Sequence, residues 1–115
     1  MTDNCLFCNI AAGTIPAKIV HEDEQVVAFA DIDPKAPVHI LIIPRKHIAS
    51  INDISLEDNE LIGHIHQVAV QLARRFGIAD DGFRLVNNCN DAGGQTVYHI
   101  HFHLLGGRTM EWPPG

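Results

Sequence analysis

Three histidines, His99, His101 and His103, alternate with apolar residues in the segment Tyr98–Leu105. Successive side chains of an extended strand point to opposite faces. The three imidazoles would therefore share one face, and the apolar residues between them would share the other. The pattern predicts a strand with one face in a core and one face in a functional site.

Four other short segments have the composition of strands. They are Ile19–Glu22, Val26–Ala30, His39–Ile43 and Phe83–Asn88. The first two are separated by three polar residues and predict a hairpin. The third, closed by Pro44, is apolar enough to be a central strand. Residues 90–95 are predicted to be a turn or loop that leads into the histidine strand.

Two segments have helical signals. Asn4 is the predicted N-cap of a short helix over Leu6–Ala12, which Gly13 ends. The sequence Ser55–Asp58 resembles a capping box and precedes apolar residues at helical spacing up to Gly77, which predicts a helix of about 20 residues. This order of elements predicts an α+β fold. We expect a five-stranded, mainly antiparallel sheet with the long helix on one face.

The composition limits the classes of protein that this chain can represent. With 115 residues, 46% hydrophobic and 19% charged, it fits one globular domain over residues 1–115. The formal charge of −6 and the absence of a long basic run argue against nucleic acid as a partner. The apolar run Ile40–Ile43 is too short for a membrane span. Residues 1–5 lack the features of a signal peptide, so we expect a cytoplasmic protein with no membrane partner.

The histidine face is suited to phosphorus chemistry. A neutral imidazole is a nucleophile, and an ordinary pKa near 6.5 lets a neighbouring ring carry the proton. We therefore expect two histidines in different protonation states, one as nucleophile and one as acid. His39 begins the third strand and is a candidate for the same face. His21 shows no partner signal, and His64 and His66 diverge around the long helix, so we interpret these two as surface or interface residues.

The loop before the histidine strand could bind a phosphate. Gly93 and Gly94 let backbone N–H groups approach closely, and Gln95 and Thr96 add side-chain donors. A plain turn is the alternative interpretation. Asp31, after the second strand, could accept hydrogen bonds from ribose hydroxyls, although a loop carboxylate is usually only solvated.

Cys5 and Cys8 form a C-x₂-C pair, which is a common half of a zinc site. His99 and His47, which follows the third strand, could supply the other two ligands. A closed site of this type is structural, and it would leave His101 and His103 for the chemistry. The alternative is a pair of buried free cysteines on a short helix. Cys89 has no evident partner, and three cysteines do not suggest a disulfide framework.

The segment His99–Leu105 resembles the signature of the histidine triad (HIT) superfamily. Further segments are similar to its histidine triad nucleotide-binding branch: Gly13–Lys18, Ala30–His39, Gly93–Tyr98, Leu104–Arg108 and Trp112–Gly115. The resemblance covers nearly the whole chain. It implies a HIT-like fold and a homodimer that binds purine nucleotides.

The resemblance also implies an activity and residue roles. Members of this branch hydrolyse purine nucleoside phosphoramidates and acyl-adenylates through a nucleotidyl-histidine. By this likeness His101 is the nucleophile, His103 binds the phosphate and handles the leaving-group proton, and His39 supports it by a hydrogen bond. The implied substrate contacts are Asp31 to ribose, Phe7, Phe29 and Ile32 to the base, Asn88, Gly94, Gln95 and Thr96 to the phosphate, and Trp112 to the partner subunit's site.

Relatives with the cysteine pair resemble zinc proteins that use the positions of Cys5, Cys8, His47 and His99. Two other functions remain open at the level of sequence. One is a dinucleoside polyphosphate hydrolase or nucleotidyl transferase of the same superfamily. The other is a nucleotide-binding scaffold that acts through contact with partners, because binding and slow catalysis would use the same pocket.

Overall fold

The structure is a computed structural model that describes residues 4–115. Residues 1–3 lie outside the described residues. They belong to the predicted domain and to the segment in which we looked for a signal peptide. The helices and strands follow the order α1 (Leu6–Ala11), β1 (Ile19–Glu22), β2 (Val26–Ala30), β3 (Val38–Pro44), α2 (Asn59–Arg75), β4 (Phe83–Val86), α3 (Asn90–Gly93) and β5 (Phe102–Gly106).

The five strands form one sheet in the order β1-β2-β3-β5-β4, and every neighbouring pair is antiparallel. The predicted fold class is therefore confirmed. β3 lies in the middle of the sheet, and all of its residues after Val38 are buried. A strand that is covered on both faces has this continuous apolar character.

The two faces of the sheet carry different layers. The side chains of Ile42 and Leu104 lie in the larger core, where the apolar side of α2 covers them. Leu41, which points to the opposite face, packs with Phe7 and Ile10 of α1 in a second, smaller core. The alternation along the strands therefore separates a face for the long helix from a face for α1 and the histidines.

The helix boundaries differ from those predicted. Cys5, not Asn4, is the N-cap of α1, because its thiol accepts a hydrogen bond from the backbone N–H of Cys8. The predicted capping box at Ser55–Asp58 is present, but it caps a short 3₁₀ turn that leads into α2. Within residues 4–115, no helix combines the length and apolar character that a membrane span needs.

The histidine strand is shorter than predicted, because β5 begins at Phe102 rather than at Tyr98. The register pairs Ile42 with Phe102, and its continuation would place Pro44 opposite Ile100. Proline has no N–H for the ladder. The N–H of Ile100 instead donates to the carbonyl of Ile48 at 2.6 Å, which leads this part of the chain away from the sheet.

The segment between β4 and β5 also differs from its prediction. β4 ends at Val86 rather than at Asn88, and part of the predicted loop forms the short helix α3. The side-chain oxygen of Gln95 accepts a hydrogen bond from the backbone N–H of Asn90, the first residue of α3, at 2.8 Å. This side-chain contact depends on tertiary geometry, so the local sequence did not indicate it.

His21 has a partner that the sequence did not reveal. The ring Nε2 atoms of His21 and His64 each lie 2.8 Å from the same Oδ2 of Asp23. The Oδ1 of Asp23 accepts hydrogen bonds from the backbone N–H groups of Gln25 and Val26. Burial raises the pKa of Asp23, but these hydrogen bonds outweigh it and hold the pKa well below its usual range. Through Asp23, His64 thus links α2 to the hairpin of β1 and β2.

Candidate active site

Three histidines converge on the face of the sheet that carries α1. His39 comes from β3, His103 comes from β5, and His101 immediately precedes β5. The ring centroids of His101 and His103 lie 5.1 Å apart, and those of His39 and His103 lie 5.2 Å apart. Phe7 of α1 packs edge-on against His101 at 5.0 Å. The rings therefore form one continuous cluster.

Hydrogen bonds fix the tautomers of two of these rings. The backbone N–H of Lys35 donates to Nδ1 of His39 at 3.0 Å, so the proton of a neutral His39 is on Nε2. The Nε2–H of His39 donates to Nδ1 of His103, with the two nitrogens 2.9 Å apart. The same Nε2 lies 3.4 Å from Oδ2 of Asp31. Because Nδ1 of His103 accepts, its proton is on Nε2. His103 can then donate from Nε2 to a bound ligand.

His101 has the opposite tautomer. Its Nδ1–H donates to the main-chain oxygen of His99 at 2.8 Å. A carbonyl oxygen only accepts, so Nε2 of His101 carries the lone pair. A ring with a free lone pair thus lies beside a ring with a free N–H. This pairing suits attack on an electrophilic phosphorus while an oxygen or leaving group of the same phosphate receives a hydrogen bond.

Burial keeps the histidines of this site neutral. It lowers the pKa of His101, and the hydrogen bond to the His99 carbonyl and the charge of Asp31 oppose this only in part. Burial, with the charges of His101 and His39, lowers the pKa of His103 to about 4. It also lowers the pKa of His39. The expectation of one cationic ring at neutral pH is therefore wrong for the free protein, in which each ring is neutral and its tautomer sets its role.

The protonation state of His103 gives a direct prediction. At pH 5.5 an imidazole with a pKa of about 6.5 would be roughly nine-tenths protonated. A ring with its pKa near 4 would remain almost entirely neutral at that pH. Nitrogen-15 NMR of the histidine rings should therefore show His103 neutral and protonated at Nε2, with its signals assigned by their loss in His103→Asn. A ring that is more than half protonated at pH 5.5 would contradict the hydrogen-bond chain.

The predicted ribose and base residues divide into three groups. Asp31 lies beside His39, and its Oδ1 accepts a hydrogen bond from the backbone N–H of Asp33 at 2.8 Å. Phe7 and Phe29 are buried, and their ring centroids are 5.5 Å apart. Ile32 is fully exposed on the loop after β2. Asp31, Phe7 and Phe29 are therefore brought together near the histidines, whereas the structure shows no contact between Ile32 and this group within the described residues.

The predicted phosphate loop is only partly available for a ligand. The amide nitrogen of Gln95 donates to the carbonyls of Ala49 and Val97 at 2.7 and 3.0 Å. Gln95 therefore holds the loop in place, which differs from its predicted role as a phosphate donor. Gly94 has a φ of 81°, a conformation that favours glycine. Thr96 is exposed and Asn88 is half-buried.

Sequence analysis missed Asn87. Its side-chain nitrogen donates to the main-chain oxygen of His101 at 3.0 Å. In the sequence, the only available signal was a polar residue at the end of a predicted strand, and this signal gives no indication of a partner 14 residues away.

A second cluster lies next to the first. The ligating atoms of Cys5, Cys8, His47 and His99 all lie within 4.8 Å of one another. Nδ1 of His99 is 3.3 Å from both thiol sulfurs and from Nδ1 of His47, and Cys8 Sγ is 3.4 Å from Nδ1 of His47. Ligand atoms around a tetrahedral zinc lie roughly 3.3 to 3.8 Å apart. The separations of the four ligating atoms therefore match those of a zinc site.

The tautomer of His99 also suits a metal. Its Nε2–H donates to the main-chain oxygen of Pro44 at 2.7 Å, so the lone pair of Nδ1 points into the cluster. Asp31, His39 and His103 form another group with ligating atoms within 4.8 Å. There the N–H of Lys35 keeps the proton of His39 on Nε2, the atom that would have to bind the metal. We therefore assign the metal-binding geometry to the cysteine cluster alone.

The fold and the site together define an α+β domain in which an imidazole with a free Nε2 lone pair lies beside a second imidazole with a free Nε2–H. Residues 12–110 match the model of the HIT domain. The chain belongs to the HIT domain family, which confirms the resemblance noted in the sequence.

Individual relatives agree over almost the full length. The chain is 49% identical over 110 residues to the purine nucleoside phosphoramidase of Escherichia coli (strain K12), with 96% of this chain and 92% of that protein covered. A HIT family hydrolase from Legionella pneumophila Philadelphia 1 is 59% identical, with a TM-score of 0.96 over 97% of this chain and 100% of that chain. A histidine triad protein from Clostridium difficile is 44% identical, with a TM-score of 0.92 over 95% of each chain.

Proposed function

We propose that this protein is a nucleotide hydrolase that cleaves purine nucleoside phosphoramidates through a nucleotidyl-histidine on His101. The tautomer of His101 carries the proposal, because its Nδ1–H is held by a carbonyl and its Nε2 lone pair is left for phosphorus. The chain's 49% identity to a purine nucleoside phosphoramidase supports the same conclusion.

The proposed reaction has two displacements at phosphorus. In the first, Nε2 of His101 bonds to phosphorus and the P–N bond of the substrate breaks. The bound anionic phosphate favours one extra proton on the His39–His103 pair, and the negative charge of Asp31 beside His39 stabilises the protonated pair. The leaving amine takes the Nε2 proton of His103, which leaves the pair neutral. In the second, water attacks phosphorus and the bond to His101 breaks. One proton of the water returns to His103, and the products are a nucleoside monophosphate and an amine.

Except at Gln95, the proposed substrate contacts are those that the resemblance implies. Asp31 would bind ribose. The residues proposed for the base are Phe7, Phe29 and Ile32, and those proposed for the phosphate are Asn88, Gly94 and Thr96. Gln95 is left out because its side-chain amide and its backbone N–H both donate to carbonyls of the protein. The position of Asp31 beside His39 supports its part of this assignment.

We also propose that Cys5, Cys8, His47 and His99 hold a structural zinc ion. Four ligands close a tetrahedral site and leave no position for substrate, so zinc would stabilise the fold and take no part in the displacement. The separations of the ligating atoms support this assignment. A reducing compartment such as the cytoplasm would keep the free thiols of Cys5 and Cys8 available for a metal.

We propose that the protein is a homodimer in which Trp112 reaches the partner subunit's site. Trp112 is 82% exposed, and β4 lies at an edge of the sheet beside a groove of about 950 Å³. An open strand edge and an exposed indole are typical of surfaces that pair. Sedimentation equilibrium measures the mass, and a monomer at micromolar concentration would overturn this part of the proposal.

A panel of substrates tests the activity. AMP amide and AMP-lysine should be hydrolysed with a kcat/KM at least about 100-fold above that for diadenosine polyphosphate or a nucleotide sugar, because a departing amine can take its proton from His103. A preference for the dinucleotide or for transfer to a sugar phosphate would assign the chain to another activity of the superfamily. Tight AMP binding without turnover of any member would favour the scaffold function.

A further inference from the structure

The main chain around the nucleophile lies outside the regular ladders of the sheet. The pairing of β3 with β5 ends at Ile42 and Phe102, and that of β4 with β5 ends at Val86 and His103. His101 is therefore next to the sheet but not in it. Because no strand pairing holds this segment, other contacts must fix the orientation of the His101 ring.

Two of the contacts that hold this segment come from the backbone. The N–H of Ile100 donates to the carbonyl of Ile48 at 2.6 Å. The ring Nδ1–H of His101 donates to the carbonyl of His99 at 2.8 Å. Neither contact fixes the carbonyl of His101 itself, which faces the end of β4.

A side chain fixes that carbonyl. Asn87 follows the last paired residue of β4, and its Nδ2 donates to the oxygen of His101 at 3.0 Å. The amide thus supplies a hydrogen bond at the point where the backbone ladder has ended. The hydrogen bond of Asn87 is to the main chain of His101 and not to a ring nitrogen, so its effect on the chemistry would be indirect.

We propose that Asn87 is a positioning residue that aims Nε2 of His101 at phosphorus by holding the main-chain oxygen of His101. This inference rests on the proposed function and extends it to a residue outside the reacting groups. The far nitrogen of a histidine ring lies about 5 to 6 Å from its carbonyl, so a rotation of about 10° moves it by roughly 1 Å. A misplacement of roughly 1 Å costs about 100-fold in rate.

The test compares Asn87→Leu, which keeps the shape but removes the donor, with Asn87→Ala and the wild type. Single-turnover rates with AMP amide should fall about 10- to 100-fold in both variants, while the Kd for AMP changes less than about threefold. Asn52→Ala, which changes an exposed asparagine, should match the wild type. A rate within twofold of wild type in Asn87→Leu, or an equal loss of rate and AMP binding, would overturn the inference.

A second measurement separates this inference from the proposed function. Nitrogen-15 NMR at pH 8 should show His101 of the wild type as a single Nδ1–H tautomer, and Asn87→Leu should show a mixture of both tautomers. This comparison needs no turnover. A wild type that hydrolyses none of the substrates would reject the proposed function, whereas an unchanged single tautomer in Asn87→Leu would reject the role of Asn87.

Discussion

Replacement of His101 by alanine is expected to reduce the hydrolysis of AMP amide by at least about 10⁴-fold, because the nucleotidyl intermediate cannot form without its nitrogen. AMP binding should persist, with the Kd within about threefold of wild type, since the ring supplies a lone pair rather than a phosphate donor. Steady-state kinetics and calorimetric titration of AMP measure the two quantities. Wild-type protein quenched during turnover should carry one nucleotidyl group on the peptide that contains His101.

Two further variants keep this prediction falsifiable. His101 is buried, so alanine leaves a cavity, whereas His101→Asn keeps a polar side chain and should be equally inactive. His66→Ala removes an exposed imidazole of α2 and should retain wild-type turnover. Turnover by a folded His101→Asn variant at more than about one-hundredth of the wild-type rate would assign the nucleophile to another residue.

The fold could be predicted largely from local signals. The alternation in the histidine segment predicts a strand with two different faces. The continuous apolar run of β3 predicts a central strand, and the helical spacing of α2 predicts a helix packed on the sheet. The ends of the elements could not be predicted in the same way. The start of β5 depends on Pro44, which is opposite in space but distant in the sequence.

The sequence predicted which histidines lie together, but it did not predict their tautomers. Alternation indicated that His101 and His103 share a face, yet their tautomers depend on the His99 carbonyl and on a chain that begins at the Lys35 N–H. These partners are main-chain groups, which every residue has, so no residue type could indicate them. Burial also lowers the pKa of both rings, so that His101 and His103 are neutral where the sequence predicted one cationic ring.

Some roles depend on contacts between distant parts of the chain. Gln95 resembled a phosphate donor in sequence, but its amide holds the backbone of Ala49 and Val97. Asn87 and the Asp23 pair with His64 are similar cases. A polar side chain gives the same signal in a sequence whether it binds a ligand or a carbonyl, and only the fold distinguishes the two.

Purified protein is expected to contain about one zinc ion per chain, and the double variant Cys5→Ser, Cys8→Ser should contain none, because the remaining two imidazoles bind weakly. The variant should lose roughly 3 to 5 kcal/mol of unfolding free energy, since the ion would join α1 to the segment after β3 through His47 and to the segment before β5 through His99. Elemental analysis measures the metal, and urea unfolding with and without a chelator measures the stability.

Cys89 provides the matched control, because it is a free cysteine outside the four-residue cluster. Cys89→Ser should keep the zinc and the wild-type stability. The second core, in which Phe7 and Ile10 pack, should keep the double variant folded, so its loss of stability can be measured as a shift rather than as a failure to fold. Native protein that is metal-free as purified and takes up no added zinc would reject the site. The four side chains would then contact one another only through weak hydrogen bonds of their thiols and imidazoles.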